Sequence, residues 1–126
     1  MVTVTLDPLP GLYATARLQP TEPIPTWADG PGFVSISRTS DELSIVCLAE
    51  RVPPTAQADR DWRAIQFVGP FAFDQTGIAS AVLLPLADAL IGVFLVSTYD
   101  TDYLLVKQHN FDRSIDALRK AGHRIS

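Results

Sequence analysis

The sequence predicts an α+β fold made of two βαββαβ units in tandem, the first of them truncated. Three observations carry this reading. A hairpin is written twice: VSISRTSDELSIVCL from Val34 aligns with FLVSTYDTDYLLVKQ from Phe94, setting Ser37 on Ser97, Glu42 on Asp102 and Val46 on Val106. Each copy is two short apolar strands around a polar turn, which is hairpin spacing. A strand-like run precedes each hairpin, LYATARL in the first half and WRAIQFVGPF in the second. Between strand and hairpin, only the second half has both the length and the apolar period for a real helix.

The first half opens on alternating VTVTL, which we read as the edge strand missing from the truncated unit. In Leu12–Leu18, Leu12, Ala14, Ala16 and Leu18 share one face, the period of a strand. The crossover QPTEPIPTWADGPG carries Pro20, Pro23, Pro25 and Pro31, so it supports one helical turn at most, around Pro25–Ala28. The hairpin of residues 33–50 turns near Ser40–Glu42. RVPPTAQADRD then reads as a polar connector, dividing the chain into units 1–61 and 62–126. In the second half Ile78, Val82, Leu86 and Leu90 recur every four residues, predicting an amphipathic helix Ile78–Leu90 that Pro85 should kink. After the second hairpin, Asn110 suits an N-cap, and Phe111, Ile115 and Leu118 form a stripe. Gly122 closes that helix, and HRIS adds a short strand. The second half is thus the ferredoxin-like split pattern, with helices on one face of an antiparallel sheet.

The bulk numbers exclude several function classes. The 126 residues carry a net charge of −4 with no basic run, which argues against nucleic acid and anionic membrane as partners. Ile78–Tyr99 is long and nearly uncharged, but Pro85, Asp88 and Gly92 interrupt it, so no membrane span is expected. A single cysteine, Cys47, rules out an internal disulfide and fits a cytoplasmic protein. Its alternation with Leu43 and Ile45 makes it a small core residue. The start lacks a basic n-region and an apolar h-region, so no signal peptide is expected. His109 and His123 have no Cys or carboxylate cluster at ligand spacing, so neither metal nor cofactor is expected.

The stretch FDQTGIASAVLLPLADALIGVFLVSTYDTDYLLV resembles the ACT domain, a small amino-acid-binding regulatory module. The residues that carry the resemblance are Asp74 in the loop after the first strand, Gly77-Ile78-Ala79 opening the helix, and the hairpin that follows. The paired hairpins make the chain similar to tandem ACT proteins of the CASTOR-like type. The resemblance implies a non-catalytic sensor, a homodimer, and a ligand at a unit interface held by Asp74, Thr76, Gly77, Ile78, Ala79 and Asp102. The first half departs from the pattern in its Pro-rich crossover.

Elementary chemistry agrees with that site. A glycine at a helix mouth lets a ligand approach the backbone. First-turn amides lack intrahelical partners and suit a carboxylate. Asp74 and Asp102 could hold an ammonium. Hydrogen bonds to charged groups contribute about 1.5–3 kcal/mol each, and a millimolar affinity needs only about 4 kcal/mol. Two or three contacts therefore suffice for a sensor. The alternative is a ligand-free interaction scaffold. An enzyme is not expected, since no nucleophile, phosphate loop or acid pair stands in a motif.

Overall fold

The strands are β1 (Thr5–Pro8), β2 (Tyr13–Leu18), β3 (Ser35–Arg38), β4 (Leu43–Leu48), β5 (Ala58–Phe67), β6 (Phe94–Ser97), β7 (Asp102–Lys107) and β8 (Arg124–Ile125). The helices are α1 (Ile78–Asp88) and α2 (Phe111–Lys120). They come from a computed structural model that describes residues 2–126. Two units result, Gly11–Trp62 and Arg63–Ser126, the latter joined by residues 2–10. Strand β5 is long enough to serve both, with residues 58–62 in one and 63–67 in the other. The sequence connector RVPPTAQADRD is therefore strand from Ala58 onward, not loop throughout.

In the unit Gly11–Trp62 the strands lie in the order β3-β4-β2-β5, all antiparallel. Register sets Tyr13 opposite Leu48 and Leu18 opposite Leu43. The core gathers Ala14, Ala16, Leu43, Ile45 and Cys47 with Ala28 and Val52. The crossover forms only a one-turn 3₁₀ helix, Thr26–Ala28, as its prolines require. Side chains fasten it instead. Phe33 N–H donates to the Tyr13 hydroxyl at 2.9 Å. Arg51 donates from Nε to the Trp27 carbonyl at 3.1 Å and from Nη1 to the Pro31 carbonyl at 2.8 Å. Burial pushes the Cys47 thiol up, against a smaller opposing pull from Arg51. Cys47 is core material here rather than a nucleophile.

In the other unit the order is β8-β1-β5-β7-β6. β1 runs antiparallel to β5, with Leu6 opposite Phe67, and parallel to β8. VTVTL therefore completes this sheet and does not fill the edge of the truncated unit. The reason is its register: Leu6 joins a core of Ile65, Phe67, Leu104 and Val106, covered by Val82 and Leu86 of α1 and Leu118 of α2. No helix of the described residues is long and apolar enough to cross a membrane.

Both helices end in Schellman motifs. At α2, Gly122 has φ +96, its N–H donates to Arg119 O, and His123 N–H donates to Leu118 O. At α1 the same bonds run from Leu90 to Ala87 and from Ile91 to Leu86, so the helix stops at Asp88, before the predicted Leu90. Leu90 occupies the left-handed position, with φ +61, and is 89% exposed. A non-glycine residue there is strained by about 1–2 kcal/mol. Leu90→Gly is accordingly expected to raise stability by up to about 1 kcal/mol, after allowing for glycine's greater unfolded-state entropy. Thermal unfolding will read this as a higher Tm, and an unchanged or lower Tm refutes it.

Pro85 does not break α1, which continues to Asp88. Proline has no N–H to give the Ala81 carbonyl. His123 fills that vacancy. Its Nε2 lies 2.7 Å from Ala81 O, and its Nδ1 accepts from Val4 N–H at 3.0 Å. An amide can only donate, so Nδ1 is the acceptor and the ring proton sits on Nε2, donating to Ala81. The buried imidazole thus ties the proline-interrupted helix to the chain just ahead of β1. At α2, Asn110 holds the N-cap position, but its side chain makes no cap bond. It instead accepts from Arg113 Nη2 at 3.1 Å, because residues 108–110 are already a 3₁₀ turn leading into the helix.

Candidate functional site

The site is built where the β5–α1 loop meets the β6–β7 turn. Gly77 precedes α1 with φ +81 and ψ 0, a left-handed conformation that swings the chain into the helix. No side chain caps this end. The first intrahelical bond is Ala81 N–H to Gly77 O at 3.0 Å, so the amides of Ile78, Ala79 and Ser80 have no acceptor inside the helix. They carry the positive end of the helix dipole.

A cavity of about 260 Å³ opens beside it. Its walls are Phe71, Ala72, Phe73, Gln75 and Ile78 from one side and residues 97–102 from the other. The base is well tied. Phe71 N–H donates to Asp100 O at 2.9 Å, and the buried Thr101 hydroxyl donates to Phe67 O at 2.6 Å. Thr98 N–H closes the turn onto Thr101 O at 2.7 Å. Half-buried Asp102 accepts from the Ser97 hydroxyl. The lip is aromatic: Phe73 and Tyr99 meet edge to face, centroids 5.0 Å apart, while 77% and 80% exposed. Asp100 and Asp102 are the only charged residues lining the cavity. Two carboxylates and three rings without a lysine or arginine favour a cationic group.

Of the six residues read from the sequence, this cavity collects Ile78 and Asp102. Gly77 lines a separate apolar groove of about 510 Å³ along α1, with Leu84, Pro85 and Ala121. Ala79 is half-buried and lines neither. Asp74 and Thr76 are exposed and line neither. The sequence reading missed Phe71, Phe73, Gln75, Tyr99, Asp100 and Thr101. Their one legible signal was the set of three aromatic residues in loops, Phe71, Phe73 and Tyr99, where solvated loops seldom place them. Among the described residues no group of His, Cys, Asp and Glu could hold a metal ion.

Residues 57–120 match the family model of the ACT domain. Residues 11–55 match a second model, described as an N-terminal domain. The cytosolic arginine sensor for mTORC1 subunit 1 of Bos taurus is 29% identical over 136 residues, covering 93% of this chain and 41% of the sensor. The chain thus spans less than half of that relative's length. A crystal structure of an Agobacterium tumefaciens protein is 49% identical, with a TM-score of 0.95 over all of this chain and 94% of that one. The regulatory subunit of aspartate kinase from Thermus thermophilus shares the fold at 10% identity, with a TM-score of 0.62 over 93% and 94% of the two chains.

Proposed function

The chain belongs to the ACT domain family, and from that premise we propose that it is a non-catalytic regulatory protein that binds an amino acid. The observation that carries this reading is the uncapped, glycine-entered start of α1 beside a cavity walled by Asp102, Asp100 and three aromatic rings. The α-carboxylate sits on the free amides of Ile78, Ala79 and Ser80, and the ammonium faces Asp102. Gly77 keeps the helix mouth open to the ligand. Asp74 and Thr76, exposed on the approach to it, contribute less. The arginine named for the bovine relative suits an anionic, aromatic lining, so arginine heads the candidates. Ligand acts by favouring one arrangement of the protein, and its effect is bounded by its differential affinity for the two states. Cytosolic residence and a homodimer belong to the same reading, the first supported by the relative's name.

A thermal-shift panel of the twenty amino acids tests it. A true ligand at about 100 times its Kd adds about 2.7 kcal/mol of stability, visible as a clear rise in Tm. No response at 10 mM of any member, about tenfold above a millimolar Kd and so worth roughly 1.4 kcal/mol of stability, refutes amino-acid binding and leaves the scaffold reading.

A further inference from the structure

In the unit Gly11–Trp62 the sheet turns Ala14, Ala16, Leu43, Ile45 and Cys47 toward its core. Side chains alternate along a strand, so Thr15, Arg17, Glu42 and Ser44 turn the other way. Register lays them out in rows. Ser44 stands opposite Arg17, and Arg17 N–H donates to the Gln57 carbonyl at 2.9 Å. In the next row Thr15 stands opposite Asp59. The short side chains of Thr15 and Ser44 make a floor between longer ones, and a trough of about 320 Å³ results. A polar sheet face that met only water would need no such hollow.

The charges in the trough are ordered. Among the described residues lining it, the charged ones are Glu42, Arg17 and Asp59. Same-face rows lie about 7 Å apart along a strand, so the signs run minus, plus, minus from the β3–β4 turn toward Trp62. Two of the three groups are held in place. Arg17 Nη2 donates to the Asp41 carbonyl at 2.9 Å, and Asp59 Oδ1 accepts from Trp62 Nε1 at 3.0 Å. Charges oriented in advance lower the ordering cost of binding. A bare anion would meet two carboxylates here, and a bare cation would meet the guanidinium. No aromatic ring lines the trough among the described residues, so a nucleobase finds no stacking platform.

We propose that this trough is a ligand site for a small diamino acid, its carboxylate on Arg17 and its two ammonium groups toward Glu42 and Asp59. The planar guanidinium fork matches a carboxylate. Two carboxylates against one guanidinium leave the trough at −1, which complements the +1 of such a ligand. The hydroxyls of Ser44 and Thr15 both give and accept hydrogen bonds along the floor. A ligand seated there spans β4, β2 and β5 and stabilises this unit by mass action. The trough shares no lining residue with the cavity beside α1, so it stands apart from the ligand proposed there.

An amide-resolved NMR titration of the whole chain with L-lysine, up to about 50 mM so that a millimolar site fills, tests it. Lysine should shift the amides of Thr15, Ser44 and Asp59 along one saturable curve. Norleucine lacks the second amine and 1,5-diaminopentane lacks the carboxylate. Each should bind the trough at least about tenfold more weakly, the loss of one charge-assisted hydrogen bond. Arg17→Gln and Glu42→Gln, at exposed and half-buried positions, should weaken lysine to the same degree while the Tm of the free protein holds. Saturable shifts in the trough uphold the site whether or not residues near Asp102 respond. Shifts confined to the surroundings of Asp102 overturn it and leave the cavity beside α1 standing, and no shift anywhere overturns it as well. Trough shifts that diaminopentane reproduces at equal strength, or that survive Arg17→Gln undiminished, mark unselective attraction of a cation and overturn it too.

Discussion

Replacing His123 with alanine is expected to destabilise the protein by about 3 kcal/mol, because it strips partners from a buried amide and a partly buried carbonyl at once. Val4 N–H loses its acceptor and Ala81 C=O loses its donor from outside the helix. Each orphaned group costs about 1–3 kcal/mol, and the vacated space adds to that. Urea unfolding with a constant m-value measures the loss. The specific claim is that Pro85 creates the need. Pro85→Ala restores a helical N–H for Ala81, so His123→Ala should cost roughly 1 kcal/mol less in that background. A loss below about 1 kcal/mol in the parent, the worth of one ordinary hydrogen bond, or one identical in both backgrounds, removes His123 from this role.

The same pair of residues shows how far a sequence can be read. Pro85 inside an apolar four-residue period pointed to a helix missing one bond, for which local geometry alone predicts a kink. The repair comes from His123, 42 residues away from Ala81, and no local pattern links them. The duplicated hairpin, the Pro-rich crossover and the helix closing at Gly122 were legible because each follows from local dihedral preference or periodicity. VTVTL was not, since an alternating strand states which face it buries but not which sheet receives it. The site divided the same way. Gly77-Ile78-Ala79 marks a helix mouth in the chain itself, whereas Asp100, Tyr99 and Phe73 share a cavity only once two loops converge. Asp74 was singled out as the acidic residue of the loop after the first strand in the ACT-like pattern, but the loop leaves it exposed, away from the cavity walls.

That contrast yields the second large effect, on ligand rather than on stability. For whichever amino acid the thermal-shift panel identifies, Asp102→Asn should weaken binding by about 10- to 150-fold, the equivalent of one charge-assisted hydrogen bond. Asparagine keeps an oxygen for the Ser97 hydroxyl, so the β6–β7 hairpin and the Tm of the free protein should change little. Asp74→Ala should change affinity much less, because an exposed carboxylate acts on the ligand only through screened solvent. Titration calorimetry of the two variants at two ionic strengths separates them. The Asp102 contribution should persist in salt, since a half-buried contact is weakly screened, while any contribution from Asp74 should fade. If Asp74→Ala abolishes binding and Asp102→Asn does not, the ammonium lies on the loop side of the helix mouth. The cavity walled by Phe71, Tyr99 and Asp102 is then not where the ligand sits.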